Sequence, residues 1–236
     1  MKQNTDKIEV EFDPKLKKIL KKIFSYKGKV QKPVRTIIES GTYLGTGSTR
    51  ELAEIIIELG KQDEFSFYTL EAKWWVYEQA KNNLKKYPFV QSLHALSFNL
   101  EEGLDFISND DMIKNHQNYP DLIIDCTKNP ELMYRTELWS CFSDPTKPVP
   151  VQGIFYEMLP RSREDNILVL LDACGGTGWF EFNKVMELML NNHYYLLIDD
   201  CSHIKNSRTY QYIEENDKWN ILFYDGRVAL AEFLGE

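Results

Sequence analysis

The chain has no stretch approaching the ~20 consecutive apolar residues of a membrane span, and its first ten residues, MKQNTDKIEV, lack the apolar centre of a secretory leader. Both absences point to a soluble, cytoplasmic protein with no membrane partner. The four cysteines, Cys126, Cys141, Cys174 and Cys201, form no CxxC pair and join no His/Cys cluster. A disulfide framework and a zinc site are thereby excluded, and a reducing compartment is implied. Positive charge is also short. Lys and Arg number 28 against 36 Asp and Glu, for a net charge of −8. Without a basic footprint, nucleic acid is not an expected partner. There is no internal repeat and no low-complexity tract.

What is present suits one domain with one sizeable core: 236 residues, 43% of them hydrophobic. Residues 1–33 read as a helical appendage, in which Asp13 caps a helix opened by Pro14. Leu16, Ile19, Leu20, Ile23 and Phe24 fall on one face of that helix, opposite its lysines. Such a face packs on a domain or lies on a membrane surface, and packing is the expectation. From residue 34 to 236, short apolar strands alternate with amphipathic helices. VRTII, FSFYTL, FVQSLHAL, NILVLL and HYYLLI read as strands, and DLIIDC is set aside as a sheet strand because a clean helix and HYYLLI follow NILVLL directly. The helices cover 48–59, 73–87, 100–107, 178–191 and about 204–215. This alternation predicts βαβ crossovers and a parallel sheet covered on both faces, a Rossmann-like, doubly wound three-layer α-β-α fold. WNILFY-DGR-VALAEF adds an antiparallel hairpin around Asp225 and Gly226. A proline-rich insert at about 108–165 contains one helix-like piece, PELMYRTELWSCF, and is a candidate substrate cover.

Open parallel sheets bind ligands beyond the carboxyl ends of their strands. Glu39, Glu71, Asp172, Asp199 and Asp200 all stand at such ends. After the first strand comes ESGTYLGTGST, a loop rich in small residues. It has no lysine and so is not a phosphate-binding GxxxxGK[ST] loop, and its GxxxGxG spacing is not the GxGxxG of a dinucleotide site. Glu39 would also repel a pyrophosphate. A ligand with an ammonium, a carboxylate and a ribose suits the loop better. Glu39 faces the ammonium, Gly41 and Gly45 let the backbone approach, the helix start at Gly47 and Ser48 favours the carboxylate, and Glu71 accepts the ribose hydroxyls. S-adenosylmethionine is that ligand.

IIESGTYLGTGST, YTLEA, LLDACGGTGWFEF, LLIDD and the closing FYDGRVALAEF hairpin together resemble the class I S-adenosylmethionine-dependent methyltransferases over about residues 34–234. The resemblance implies that Gly41, Gly45 and Ser48 line the methionine end, Glu71 the ribose, and Ala95, Leu96 and Ser97 the adenine. The chain departs from the family in having HALSF, without an aspartate, after the third strand.

Methylation of an oxygen requires that a proton leave, by a general base or a metal. Asp172, Asp200 and His203 are the catalytic candidates, and Asp172 also borders the cofactor. Asp172, Asp199 and Asp200 are candidate ligands for Mg2+, with His203 the base if no metal is used. The expected function is O-methylation of a small molecule, such as a sugar or glycosylated metabolite. A nicotinamide-dependent oxidoreductase and a non-catalytic binding module on the same fold are the alternatives.

Overall fold

The computed structural model describes residues 11–26, 33–161, 166–173 and 176–235. The first ten residues, Cys174 and the insert boundary at 162–165 lie outside the described residues. One sheet contains β1 (Val34–Ser40), β2 (Ser66–Glu71), β3 (Val90–His94), β4 (Asn166–Leu171), β5 (Tyr194–Ile198), β6 (Trp219–Tyr224) and β7 (Ala229–Phe233). The helices are α1 (Pro14–Ser25), α2 (Ser48–Glu58), α3 (Trp74–Asn83), α4 (Leu100–Asn109), α5 (Asp111–Lys114), α6 (Pro130–Ser140), α7 (Ile154–Arg161), α8 (Gly178–Met189) and α9 (Ser207–Glu215).

The strand order is β3-β2-β1-β4-β5-β7-β6. The first five strands run parallel, and β7 lies antiparallel between β5 and β6. The chain winds outward from β1 through β2 to β3, then returns to place β4 on the other side of β1. The switch point, where a crevice opens, is therefore between the carboxyl ends of β1 and β4.

The alternation of strand side chains divides the core. Ile37, Leu168, Leu170 and Leu197 face one layer with α1 and α2, while Ile38, Val169, Leu171 and Leu196 face the other with α7, α8 and α9. Every residue of β4 and β5 is buried, which explains their uninterrupted apolar runs. The apolar stripe of α1 is spent inward: Leu16, Leu20, Ile23 and Phe24 are buried in the α2 layer. Asp13 caps the helix by accepting from Lys15 N at 2.7 Å, and Lys17 reaches Glu51 at 2.6 Å. Burying side chains of this kind stabilises by roughly 1.5–3 kcal/mol each before entropy is counted, which favours packing over a membrane surface.

The structure differs from the sequence reading in four local respects. β3 ends at His94, because Ala95 leaves the sheet edge to bridge Val151 and Leu96 N donates to the Val151 carbonyl. The third helix stops at Asn83 and tightens into a 3-10 turn over Leu84–Lys86. α9 starts at Ser207 because 201–206 folds as turns, pinned where the Asn206 amide donates to the carbonyls of Asp199 (2.7 Å) and Leu171 (3.2 Å). The insert holds a helix, α7, that its prolines concealed; Pro160 sits in its last turn. DLIIDC stays out of the sheet, with Ile123 making only an isolated bridge to His203. A third cluster, including Phe98, Ile107, Tyr134 and Leu138, packs α6 onto α4 beside the switch point.

Candidate active site

A cavity of about 400 Å³ opens over the carboxyl ends of β1, β2 and β4. Of the residues expected to bind a cofactor, Gly41, Gly47, Ser48, Glu71, Ala95, Leu96, Ser97 and Asp172 line it. Glu39 and Gly45 do not.

Glu39 is fully buried and accepts three hydroxyls, Ser48 at 2.6 Å, Thr49 at 2.7 Å and Thr69 at 2.6 Å. It ties the first residues of α2 to β2 beneath the loop. Its expected contact with a ligand ammonium is corrected to that of an internal brace, since its side chain points into the layer between sheet and helix. The glycines are corrected in the same sense. Gly45 has φ +67°, and a Cβ there would come within 2.9 Å of the Leu84 side chain. Gly41 has φ +88°, and a Cβ would lie 2.3 Å from the Asp172 carbonyl oxygen. Gly41 touches the cavity, but what forbids a side chain at either position is protein packing.

Glu71, at the end of β2, accepts backbone N–H groups from Lys73 at 2.8 Å and Tyr43 at 3.1 Å. Burial nonetheless pushes its carboxyl up to about 7. Each oxygen keeps a lone pair for a further donor. At the cavity floor Glu181, fully buried, accepts from Ser40 Oγ at 3.0 Å and from Ser97 Oγ, and burial raises it to about 7.

At the β4 and β5 ends, carboxylate oxygens of Asp172, Asp199 and Asp200 lie within 4.8 Å of one another. Two cations already occupy this cluster. Lys205 Nζ is 2.9 Å from Asp172 Oδ1 and 3.0 Å from Asp200 Oδ2. Arg227 donates to both oxygens of Asp199 at 3.0 Å, and its Nε lies 3.2 Å from Asp200 Oδ1. Burial works against the Lys205 charge, but Asp172 and Asp200 outweigh it and hold the ammonium above its usual range. Burial raises Asp172 against the pull of Lys205, whereas Lys205 and Arg227 overcome burial at Asp200 and keep it low. The donor set does not fit Mg2+, because a divalent ion would have to displace the Lys205 ammonium from between its two acids. The expectation of a metal held by these aspartates is corrected accordingly.

Asp200 adopts φ +57°, a left-handed backbone rarely taken by non-glycine residues and costing about 1–3 kcal/mol. That strain is held by the pinned 201–206 turn. His203 is buried at the next cavity. Its Nδ1 accepts from Lys205 N at 3.2 Å, which leaves the proton on Nε2, 3.1 Å from Asp125 Oδ2. Burial lowers its pKa, with Asp125 opposing. The basic lone pair is thus spent on the backbone, and the expected role as general base is corrected to a neutral donor facing Asp125. His94, Trp74 and Tyr77 pack on one another beside β3. Trp179 packs on Phe182 and Tyr212, away from both cavities.

The second cavity, about 840 Å³, has the face of α6 as one wall and meets the first at Lys73, Glu137, Asp200 and Lys205. Its lining includes Asp125, Asn129, Thr136, Ser140 and His203, and among the described residues no Phe, Tyr or Trp. Sequence reasoning missed Lys205, Arg227 and Glu181 as parts of the site, whereas α6 is the helix-like piece of the insert. Arg227 stands within the DGRVALAEF hairpin and Lys205 five residues beyond LLIDD, so counter-charges near an acidic strand end were the available signal.

No family model matches the chain, and no curated protein matches it. Solved structures do. An rRNA methylase from Streptococcus thermophilus is 7% identical, with 93% of this chain and 94% of that one covered and a TM-score of 0.41. The Methanococcus jannaschii fibrillarin pre-rRNA processing protein is 11% identical, covering 95% and 77%, at 0.43. M. capricolum TrmK, in complex with the cofactor product S-adenosyl-homocysteine, is 12% identical, covering 95% and 68%, at 0.33. Two of these descriptions name rRNA or pre-rRNA, which overturns the expectation that nucleic acid is no partner. The physical reason is that charge summed over a chain does not describe one face. No helix among the described residues is long and apolar enough to cross a membrane. In its sheet order, and in the antiparallel strand set between β5 and β6, the chain has the Rossmann-like fold that the resemblance to class I S-adenosylmethionine-dependent methyltransferases implies.

Proposed function

We propose that the chain is an S-adenosylmethionine-dependent methyltransferase acting on a hydroxyl oxygen of a sugar unit. The observation that carries this reading is the charge of the first cavity. Glu71, Glu137, Asp172, Glu181, Asp199 and Asp200 line it against the cations Lys73, Lys205 and Arg227. Such a lining repels a pyrophosphate and suits a ligand bearing a sulfonium and an ammonium. This argues against a nicotinamide dinucleotide, even though Glu71 could accept the hydroxyls of either ribose.

When bound, S-adenosylmethionine supplies an electrophilic methyl group whose C–S bond breaks with the electron pair left on sulfur. The acceptor enters from the second cavity. Asp172, whose carboxyl burial raises to about 7, receives the hydroxyl proton as the new O–C bond forms. The hydrogen-bonding side chains of the second cavity, Asp125, Asn129, Thr136 and Ser140 among them, suit a hydroxylated ring. Two sources of a sugar hydroxyl fit this chemistry, a small glycoside and the ribose of an RNA.

Calorimetry with S-adenosylmethionine, S-adenosyl-homocysteine and NAD tests the cofactor: the first two should bind saturably and NAD should not. Tighter binding of NAD would refute the reading. Incorporation of labelled methyl from S-adenosylmethionine into panels of glycosides and of structured RNAs then distinguishes the two sources. Label found on a base nitrogen would refute the hydroxyl assignment.

A further inference from the structure

The acid cluster at the β4 and β5 ends contains its own cation. We propose that Lys205 serves this site as a built-in substitute for a divalent metal, holding the acceptor oxygen and stabilising its developing negative charge. The proposal rests on the methyltransferase reading for what the acceptor is, and on geometry alone for the absence of a metal requirement.

Three observations carry it. The Lys205 ammonium lies between Asp172 and Asp200 at 2.9 and 3.0 Å, the place a cation ligated by both acids would take. An ammonium has three N–H donors; two serve these carboxylates, which leaves one for a ligand. Lys205 also borders both cavities, as Asp200 does, so that donor is available where cofactor and acceptor meet. The position is not left to a flexible stem. Lys205 is 7% exposed, its backbone N–H is fixed on His203, and the next residue, Asn206, pins the turn to the ends of β4 and β5. Arg227 takes both oxygens of Asp199, the third carboxylate, so that Lys205 alone holds the place between Asp172 and Asp200.

A fixed ammonium can do part of what a Lewis acid does here. It donates to the acceptor oxygen and favours the oxyanion while the proton passes to Asp172, of which only Oδ1 is held by Lys205. It cannot be the base, because its two carboxylate neighbours keep it protonated.

The test uses Mn2+ alone, titrated into the full chain and followed by water-proton relaxation and thermal melting, with S-adenosylmethionine calorimetry in parallel. The wild-type chain should show no saturable Mn2+ site up to about 1 mM, the weak end of protein sites for hard divalent ions. Lys205→Met, which keeps the stem and removes the charge, should create such a site, and Mn2+ should raise its melting temperature. Lys205→Arg, which keeps the charge, should remain silent to Mn2+. Saturable binding to the wild type that Asp172→Asn abolishes would overturn the proposal, and that measurement needs no lysine variant to fold. A Mn2+ site in Lys205→Arg equal to that in Lys205→Met would overturn it as well. Failure of the wild type to bind S-adenosylmethionine would instead sink the methyltransferase reading, so the two failures are distinguishable.

Discussion

Replacing Glu181 by Gln should stabilise the protein above neutral pH and remove part of its pH dependence. The carboxyl has no exposure to solvent, its two recorded partners are serine hydroxyls, and Lys205 exerts only a longer-range pull. Burial holds it at about 7 against an ordinary 4.5. A carboxyl raised in this way binds its proton more tightly in the folded than in the unfolded chain. Its contribution to stability is therefore complete below about pH 4.5, and is lost as the pH climbs through the folded value. At about 1.4 kcal/mol per pH unit, the gap corresponds to on the order of 3 kcal/mol lost between pH 5 and 8. Gln keeps the shape, stays neutral throughout, and can still bond both serines, since a hydroxyl that donates to a carboxylate can turn to accept from an amide. Urea denaturation at pH 5 and pH 8 for both proteins gives the comparison. Glu71 and Asp172 titrate alike in both, so the difference between the two profiles isolates Glu181. Parallel profiles, or a variant less stable than wild type at pH 8, would refute the reasoning.

Other outcomes follow from the same structure. Glu71→Gln should weaken S-adenosylmethionine binding by about 1.5–3 kcal/mol, the range for hydrogen bonds to a charged group. Wild-type affinity, measured by calorimetry, should rise as the pH passes through about 7 because ionised Glu71 accepts from both ribose hydroxyls; a flat profile in the wild type would remove Glu71 from the ribose. Gly45→Val should lower the melting temperature, because φ +67° disfavours a branched side chain and Leu84 fills the space. An unchanged melting temperature with lost cofactor affinity would return Gly45 to the ligand.

Which parts could be read in advance follows from how far each residue's reason lies along the chain. The apolar runs NILVLL and HYYLLI announced buried parallel strands because every residue of β4 and β5 is enclosed. The hairpin could be read from Asp225-Gly226 because its cause is local. The small residues after β1 drew attention correctly, and Gly41, Gly47 and Ser48 line the cavity, but two glycines also answer to packing: Gly41 to Asp172, 131 positions later, and Gly45 to Leu84. Neither contact leaves any trace in the loop itself. Glu39 resembled a ligand contact because acids at strand ends usually point outward; its three hydroxyl partners come from α2 and β2 and appear only once those elements are docked. The acids at the β4 and β5 ends could be found, but their neutralisation could not. Lys205 returns to Asp172 only through the turn that Asn206 fastens, and Arg227 reaches Asp199 from the hairpin.

The placement of β7 also fixes the order in which the molecule can be built. β6 precedes β7 in the chain, yet among the described residues its only strand partner is β7, which in turn rests on β5. Until residues 229–233 insert, β5 therefore has a bare backbone edge, and β6 can pack on α1 and α9 but has no strand to pair with. The sheet closes in one late event, when residues 229–233 arrive and slot between the two. Arg227 comes with that segment, so the counter-charge of Asp199 reaches the acid cluster only as the sheet closes. Maturation of the site and completion of the sheet are then the same step, and a chain truncated before residue 227 would hold β5 at its edge and the three aspartates without their arginine.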